Sequence, residues 1–300
     1  FKKLFLQLFL FLFFLYLITP QLWINFFGLF ETFISQLSFP QDSMVYFWGK
    51  YQRSSELPLF YIFIWMLISI PIFYIFLFFV DIFICIFELR KKILCPQNYD
   101  LIFILLYLLL PLLAILIMKP NLFNGWRHFY FLNLSILYFS VLGIQNIIKF
   151  LKNKKIKNIF LILVVVNLTN IALWMIFNHP YQHVYFNHIG KKYSSNFDLD
   201  YWGLSNLNAL KFIANLEKNN SSKIKVKAIG DSRIIYAYKI MNNDFKEKIS
   251  IMKRNDQTDA DYYITNFHNG KRKNYYIRKG FKIVHEFKVD DFAINTIMQK

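Results

Sequence analysis

The chain has 300 residues, of which 56% are hydrophobic, 20% aromatic and 36 are Phe, and its mean hydropathy is +0.33. A soluble chain of this size does not need uncharged runs of about 20 residues, whereas this sequence has several, and its composition excludes fibrous, disordered and disulfide-stapled classes. The net charge of +17, from 35 Lys and Arg against 18 Asp and Glu, does not mark a nucleic-acid partner. Lys, Asn, Phe, Ile and Tyr all have AT-rich codons, so genomic bias accounts for much of the lysine.

In chain order, Leu4–Ile18 is a short apolar run behind Lys2 and Lys3. The sequence opens at Phe1 without Met, and no small-residue site follows that would release a signal. The N-terminal part of a longer protein is therefore expected before it. From Leu22 to Phe39, the residues Leu22, Phe26, Leu29, Phe30, Phe33 and Leu37 share one helical face, and Asn25, Gly28, Thr32, Ser35 and Gln36 share the other. This predicts a helix over 22–39, lying in a membrane interface or packed on protein. It belongs to a long external loop, a functional candidate for that reason. Nothing marks Asp42 or Glu56 in that loop as catalytic.

Four longer runs follow: Leu59–Val80, Leu101–Met118, Phe129–Ile148 and Asn158–Phe177. At about 1.5 Å per residue each matches the roughly 30 Å of bilayer hydrocarbon. Pro71 is expected to kink the first, which is tolerated where neighbours satisfy the freed carbonyl. Lys2 and Lys3, then Arg90, Lys91 and Lys92, then Lys149, Lys152, Lys154, Lys155 and Lys157 fall on one side of these runs. The opposite short loops hold Lys50, Arg53, Lys119 and Arg127. The positive-inside rule puts the first group in the cytoplasm and predicts a polytopic α-helical membrane protein of about five transmembrane helices over 1–177. A small C-terminal α/β extracytoplasmic domain follows over 178–300. Cys85 and Cys95 fall on the cytoplasmic side, where free thiols are normal. The expected span interiors hold no charge, only Asn133, Asn167 and Asn170 among amides, so a transporter path is poorly supported.

In the tail, Ser205 is expected to cap a helix running to about residue 218, and Ile224, Val226 and Ala228 alternate as a half-buried strand. Further strands are predicted at Tyr262–Thr265, Asn274–Arg278 and Phe281–Phe287. Gly230-Asp231-Ser232 has the look of a nucleophile turn. No Asp stands three residues before His268 or His285, however, so the tripeptide reads as a turn and cap before a helix Arg233–Met241.

The outer ends of the spans carry the chemistry. Asn124-Gly125-Trp126-Arg127-His128-Phe129-Tyr130 places an Arg and a His at the head of an apolar helix. Arg127 and its aromatic neighbours read either as interfacial anchors or as an anion site, in which a planar guanidinium takes phosphate oxygens. His179, His183 and His188 have loose metal-like spacing, but there is no HExxH helix and Pro180 interrupts the first pair. No cofactor is implied, and a divalent metal is left open. Tyr181, Gln182, Tyr185, Asn187, Tyr201 and Trp202, with Trp126 and Tyr130, make a sugar- or headgroup-facing set.

Five blocks together resemble polytopic bacterial glycosyltransferases: Tyr16–Trp23, Leu57–Trp65, Asn124–Phe131, Pro180–Asn187 and Asp200-Tyr201-Trp202-Gly203-Leu204-Ser205. The likeness is to the family 39, protein-mannosyltransferase-like branch of the GT-C superfamily. It implies a chain in the bacterial plasma membrane, with the lipid bilayer and a polyprenyl-phosphate sugar donor on the outer leaflet as partners; the acceptor is unknown. It further implies that Arg127, supported by His128, holds the donor phosphate. The family's catalytic acid lies in the first external loop and is expected upstream of Phe1, so this chain reads as the C-terminal portion of such an enzyme. The rival is a non-enzymatic polytopic protein, either a transporter half or an anchored binding module.

Overall fold

The computed structural model describes residues 2–25, 27–28, 30–31, 42–91, 99–220, 222–230, 233–253, 255–256, 258–268 and 273–300. Cys95, Asp231, Ser232 and most of the helix predicted over 22–39 lie outside the described residues. The chain opens with α1 (Lys2–Ile18) and α2 (Pro20–Ile24). At 17 residues α1 is about 26 Å long, short of a full crossing.

The external loop contains a hairpin that the sequence did not announce: β1 (Met44–Phe47) pairs antiparallel with β2 (Lys50–Arg53). Trp48 (φ 53°) and Gly49 (φ 80°) both adopt left-handed conformations, the requirement of a two-residue turn whose twist suits the strands. Asp42 accepts hydrogen bonds from the Ser55 amide at 3.2 Å and the Ser54 hydroxyl at 3.1 Å, which places it in a structural role.

The expected span Leu59–Val80 is not one helix. It divides into α3 (Tyr61–Ser69) and α4 (Ile72–Lys91), bent by 115°. Ile70 before the proline is extended (φ −90°, ψ 137°), and Pro71 has no N–H to continue the ladder. Since α4 continues to Lys91, it carries Asp81 into the bundle at 2% exposure, so the expectation of charge-free helix interiors does not hold.

Next come α5 (Tyr99–Met118), a 3₁₀ turn at Arg127–Leu132 leading into α6 (Asn133–Phe150), and α7 (Lys154–Phe177). Among the described residues three helices are long and apolar enough to cross a membrane, and a fourth span results if α3 and α4 count as one. α4 and α6 run parallel. The Ser140 hydroxyl donates to the Tyr74 carbonyl (3.0 Å), Gly143 backs directly onto the Leu77 carbonyl, and the Asn146 amide donates to Asp81 (2.6 Å). Small residues at this seam let the backbones approach closely.

Residues 178–200, although polar in composition, pack with the helices. Phe47, Tyr61, Trp65, Phe186 and Phe197 form one buried aromatic cluster with ring centroids 4.9–6.2 Å apart. The hairpin docks there through paired bonds between Tyr46 and Asp198: the Tyr46 amide donates to Oδ2 at 3.0 Å, and the Asp198 amide donates to the Tyr46 carbonyl at 3.1 Å.

After α8 (His188–Lys191), the main elements of the tail are α9 (Ser205–Leu216), β3 (Ile224–Ala228), α10 (Ile234–Ile240), β4 (Ile249–Met252), β5 (Tyr262–Thr265), α11 (Lys273–Arg278), β6 (Lys282–Val289) and β7 (Phe292–Gln299), with a single helical turn at Asn243–Lys246 before β4. The sheet order is β4-β3-β5-β7-β6, with the first three strands parallel and β7 antiparallel to both of its neighbours. Three expectations change. Ser205 does not cap α9; the Asp200 carboxylate accepts the Leu204 amide (3.0 Å) and the Ser205 amide (2.8 Å) in its place. Asn274–Arg278 lies in a helix, closed by Gly280 at φ 88° with its amide on the Ile277 carbonyl (3.0 Å). β4 and β7 were not foreseen.

Candidate functional site

The bend at Pro71 leaves carbonyls of α3 without helical partners, and a buried polar group needs one. Asn187 supplies them. Its side-chain amide donates to the carbonyls of Leu67 (2.6 Å) and Ile70 (2.7 Å), and its backbone N–H donates to that of Ile68 (2.8 Å). Its carbonyl oxygen meanwhile accepts the amides of Ile189 and Gly190, both at 3.0 Å, and so caps α8. The hydrogen bonds of the Asn187 side chain go to the protein, and the residue lines a second cavity of about 400 Å³ beside Trp174, Tyr185 and Lys191. Gly190 is required by the same fit, since a Cβ there would lie 2.6 Å from the Ile68 carbonyl oxygen.

On the other side of the bend, Asn124 (φ 56°) and Gly125 (φ 72°) make a left-handed turn, and the Gly125 amide donates to the Tyr61 hydroxyl at 3.1 Å. This turn aims Trp126 back at the break, where its indole N–H donates to Ser69 Oγ at 2.8 Å. The result is a groove of about 640 Å³ running from Pro71 between α6 and α7. Its walls are apolar, with Tyr74, Ile136, Leu137, Ile171 and Met175. Its mouth is polar and aromatic, with Trp126, Tyr130, Gln182, His183 and Tyr185.

His183 was not among the expected site residues beyond its part in a metal-like spacing. Its Nε2 lies 3.0 Å from Asp200 Oδ1, and Asp200 is fully buried. Asp200 also takes the Leu204 and Ser205 amides and, through a very short contact, the Ser205 hydroxyl. Asn295 completes the shell, its side-chain amide donating a hydrogen bond to Ser205 Oγ at 2.9 Å. Every other partner of this carboxylate is a donor, so the imidazole also meets it as a donor, through Nε2–H. His183 lines both the groove and a small enclosed cavity of about 20 Å³, room for little more than one water, beside Tyr130, Asp198 and Tyr201. His183 and Asp200 are 17 positions apart in sequence, and no local spacing rule signals that pairing.

Arg127 and His128 sit just outside the groove and do not line it. The Arg127 guanidinium lies over the rings of Phe123 (4.7 Å) and Trp202 (5.1 Å) and donates to His128 Nε2 at 3.3 Å. Among the described residues it has no carboxylate partner. Trp202 is exposed, whereas Tyr201 is buried, and burial pushes its phenol well above the usual range, with the Tyr130 hydroxyl adding to this and Arg127 opposing it. Tyr181 is buried, its hydroxyl accepting the Asn208 amide at 2.6 Å; burial raises its pKa as well. Burial likewise raises Tyr185, whose ring meets Trp174 edge-on at 4.8 Å. These phenols stay neutral and act as hydrogen-bond donors or acceptors.

The three histidines that suggested a metal are placed on separate tasks. His179 Nδ1 pairs with the Gln182 amide (2.9 Å), His183 with Asp200, and His188 opens α8. Among the described residues, no group of three His, Cys, Asp or Glu side chains is gathered as metal ligands would be.

Comparison of the sequence with known protein families and with curated proteins, and of the fold with solved structures, finds no match. The class that fold and site define is accordingly a coarse one: a mostly helical chain with helices of membrane-crossing length, a small mixed sheet, and a groove opening where a broken helix meets a polar rim.

Proposed function

We propose that this chain is a multi-pass plasma-membrane protein that transfers a sugar from a polyprenyl-phosphate donor on the outer leaflet, with its sheet domain outside. The observation that carries the reading is the groove. An apolar slot suits a prenyl chain, and the mouth holds Trp126, Tyr130, Gln182, His183 and Tyr185, the hydrogen-bonding and stacking groups that a sugar needs. Arg127 stands beside the mouth free of any described carboxylate, in surroundings where a positive charge counts for more than in water. In such a transfer an acceptor oxygen attacks the anomeric carbon and the lipid phosphate leaves, so developing charge on the phosphate is what the rim has to stabilise. The charge asymmetry of the loops and the resemblance to family 39 glycosyltransferases support the same orientation and chemistry.

One observation favours the rival reading. Asp81 is a buried carboxylate within α4, bonded to Asn146 and lining a cavity of about 220 Å³ with Lys149. Ionisable groups at such positions mark transport paths in other membrane proteins. The test is turnover of radiolabelled polyprenyl-phosphate hexoses by native membrane vesicles containing the protein. Transfer that falls at least about 30-fold on Arg127→Ala, the scale of a lost charged hydrogen bond, supports the proposal. No transfer from any such donor, together with a solute flux abolished by Asp81→Asn, would establish the rival.

A further inference from the structure

We infer that Arg233, immediately before α10, is a second arginine of the donor-phosphate site, meeting the lipid phosphate from the tail as Arg127 meets it from the helical rim; this inference rests on the sugar-transfer reading above. The topology of the tail sheet carries it. The chain leaves β3 through α10 to β4 on one side and then crosses to β5 on the other, with all three strands parallel. In an open sheet of this order the winding reverses between β3 and β5, and ligands bind in the crevice outside the carboxyl ends of the two strands at such a reversal. At that end the Ile229 amide donates to the Ile264 carbonyl at 2.8 Å. Gly230 and Arg233 follow β3, and Asn266, Phe267 and His268 follow β5.

This edge of the sheet is the one that meets the rim. The Asn266 side-chain amide donates to the Asp200 carbonyl at 2.7 Å, and the Tyr51 hydroxyl of the hairpin donates to the Phe267 carbonyl at 3.2 Å. His268 Nδ1 stands 3.7 Å from Asp198 Oδ1. Two residues beyond Asp200, the Trp202 ring lies 5.1 Å from the Arg127 guanidinium. Arg233 is near enough to act electrostatically on Arg127, alongside the phenols of Tyr201, Tyr130 and Tyr61.

Neither guanidinium has a carboxylate partner among the described residues. Two like charges gathered at a partly desolvated surface repel, and an anion placed between them relieves the repulsion. Arg233 is also held at φ 53°, a left-handed conformation uncommon outside Gly, Asn and Asp. The fold thus keeps an arginine where the backbone favours glycine. The chemistry of the donor supplies a use for two cations. A polyprenyl-phosphate hexose is a phosphodiester with one negative charge, and the polyprenyl phosphate that leaves is a monoester with about −1.5 to −2 at neutral pH. The added charge appears on the leaving group, between the two guanidiniums, where their forks match phosphate oxygens.

The experiment measures retention of radiolabelled polyprenyl phosphate by the full chain purified in detergent, with uncharged polyprenol as the control. Arg233→Gly removes the charge and suits the left-handed backbone, so the fold is retained; matched melting curves verify this. Affinity for polyprenyl phosphate is expected to fall about 10-fold or more in Arg233→Gly and in Arg127→Ala, with polyprenol unaffected. Since both side chains grip one phosphate, the double variant is expected to lose less than the product of the two single losses; strictly independent losses would overturn the shared site. Arg233→Lys is expected to recover part of the affinity, and in transfer assays Arg233→Gly is expected to lower kcat more than it raises the donor KM. Inorganic phosphate is expected to compete only at far higher concentration, and equal competition would reassign the pair to a free anion and overturn the lipid-linked assignment. Wild-type affinity in Arg233→Gly, with Arg127→Ala impaired, would overturn the second arginine and leave the transferase reading standing. Absence of both transfer and polyprenyl-phosphate binding in the wild-type protein would overturn both.

Discussion

α7 and α9 are both regular helices with ample apolar content, yet α7 buries one of its 24 residues, Val164, whereas α9 buries six of its 12. α9 carries its buried side chains on one stripe against the sheet, as a helix does in water. From Ile159 onward α7 is apolar over most of its circumference, Asn167, Thr169 and Asn170 being the exceptions, and leaves most of that surface outward. Such a helix is the kind that the proposed membrane setting accommodates, because its backbone is internally bonded. The cores differ in the same sense. Around the bend the core is aromatic and riveted by polar groups such as Asn187, and in the tail it is aliphatic, built on Leu210, Ile213, Val226, Ile264 and Ile297. Under the membrane reading proposed above, apolar burial would add little to helix association, and shape and hydrogen bonds would hold the helices together; in the tail, burial is the main contribution.

The sharpest way to break this comparison is Asn187→Ala. It orphans two buried carbonyls, about 1–3 kcal/mol each, and removes a helix cap worth about 1 kcal/mol. A loss of about 4 kcal/mol is expected from denaturation in detergent; a loss below about 1 kcal/mol would show that the bend is held by packing alone. Next in size is a paired test of the two surroundings. Val165 in α7 is 61% exposed and Ile235 in α10 is 46% exposed. Val165→Lys is expected to cost about 3 kcal/mol in a membrane-insertion assay, and Ile235→Lys to change tail stability by no more than about 0.5 kcal/mol. Equal, small effects at both sites would remove the distinction between the regions.

The smallest effect concerns pH at the hairpin. The Ser55 amide, with help from the Ser54 hydroxyl and Arg53, holds the Asp42 carboxyl below its ordinary value of 3.8. A depressed pKa contributes stability above the unfolded value and loses it as pH falls through the folded one. The hairpin is therefore expected to loosen only below about pH 3.8, seen as hydrogen exchange at Ser55, and Asp42→Asn should abolish that acid step without touching the tail.

Much of the fold was legible because it is written in local composition. Ile224–Ala228 alternates and is a strand; Leu207, Leu210 and Ile213 mark the buried stripe of α9. β7 escaped notice because Ile294–Met298 is buried on every residue, with Ile297 in one core and Met298 in another, so no alternation shows. Asn274–Arg278 is rich in strand-favouring side chains, but Gly280 and the burial of Tyr276 against Tyr263 and Phe281 make it helical. Trp126, Tyr130, Gln182 and Tyr185 were expected to face a substrate, and all four line the mouth of the groove. Arg127 and His128 came from the same segment but turn to Phe123 and Trp202, a choice that helix-terminus logic does not resolve.

By itself, the sequence determined that the runs Leu101–Met118, Phe129–Ile148 and Asn158–Phe177 lie in helices, and where the charges at their ends fall, since these depend on runs and periods within a few turns of chain. Only the tertiary structure decided the 115° bend and the joining of Asn187 to Leu67, 120 residues away. The same holds for the seating of His183 against Asp200. Those features depend on which unsatisfied backbone and carboxylate groups meet in space. A hydrogen bond between distant residues leaves no period in the chain to read.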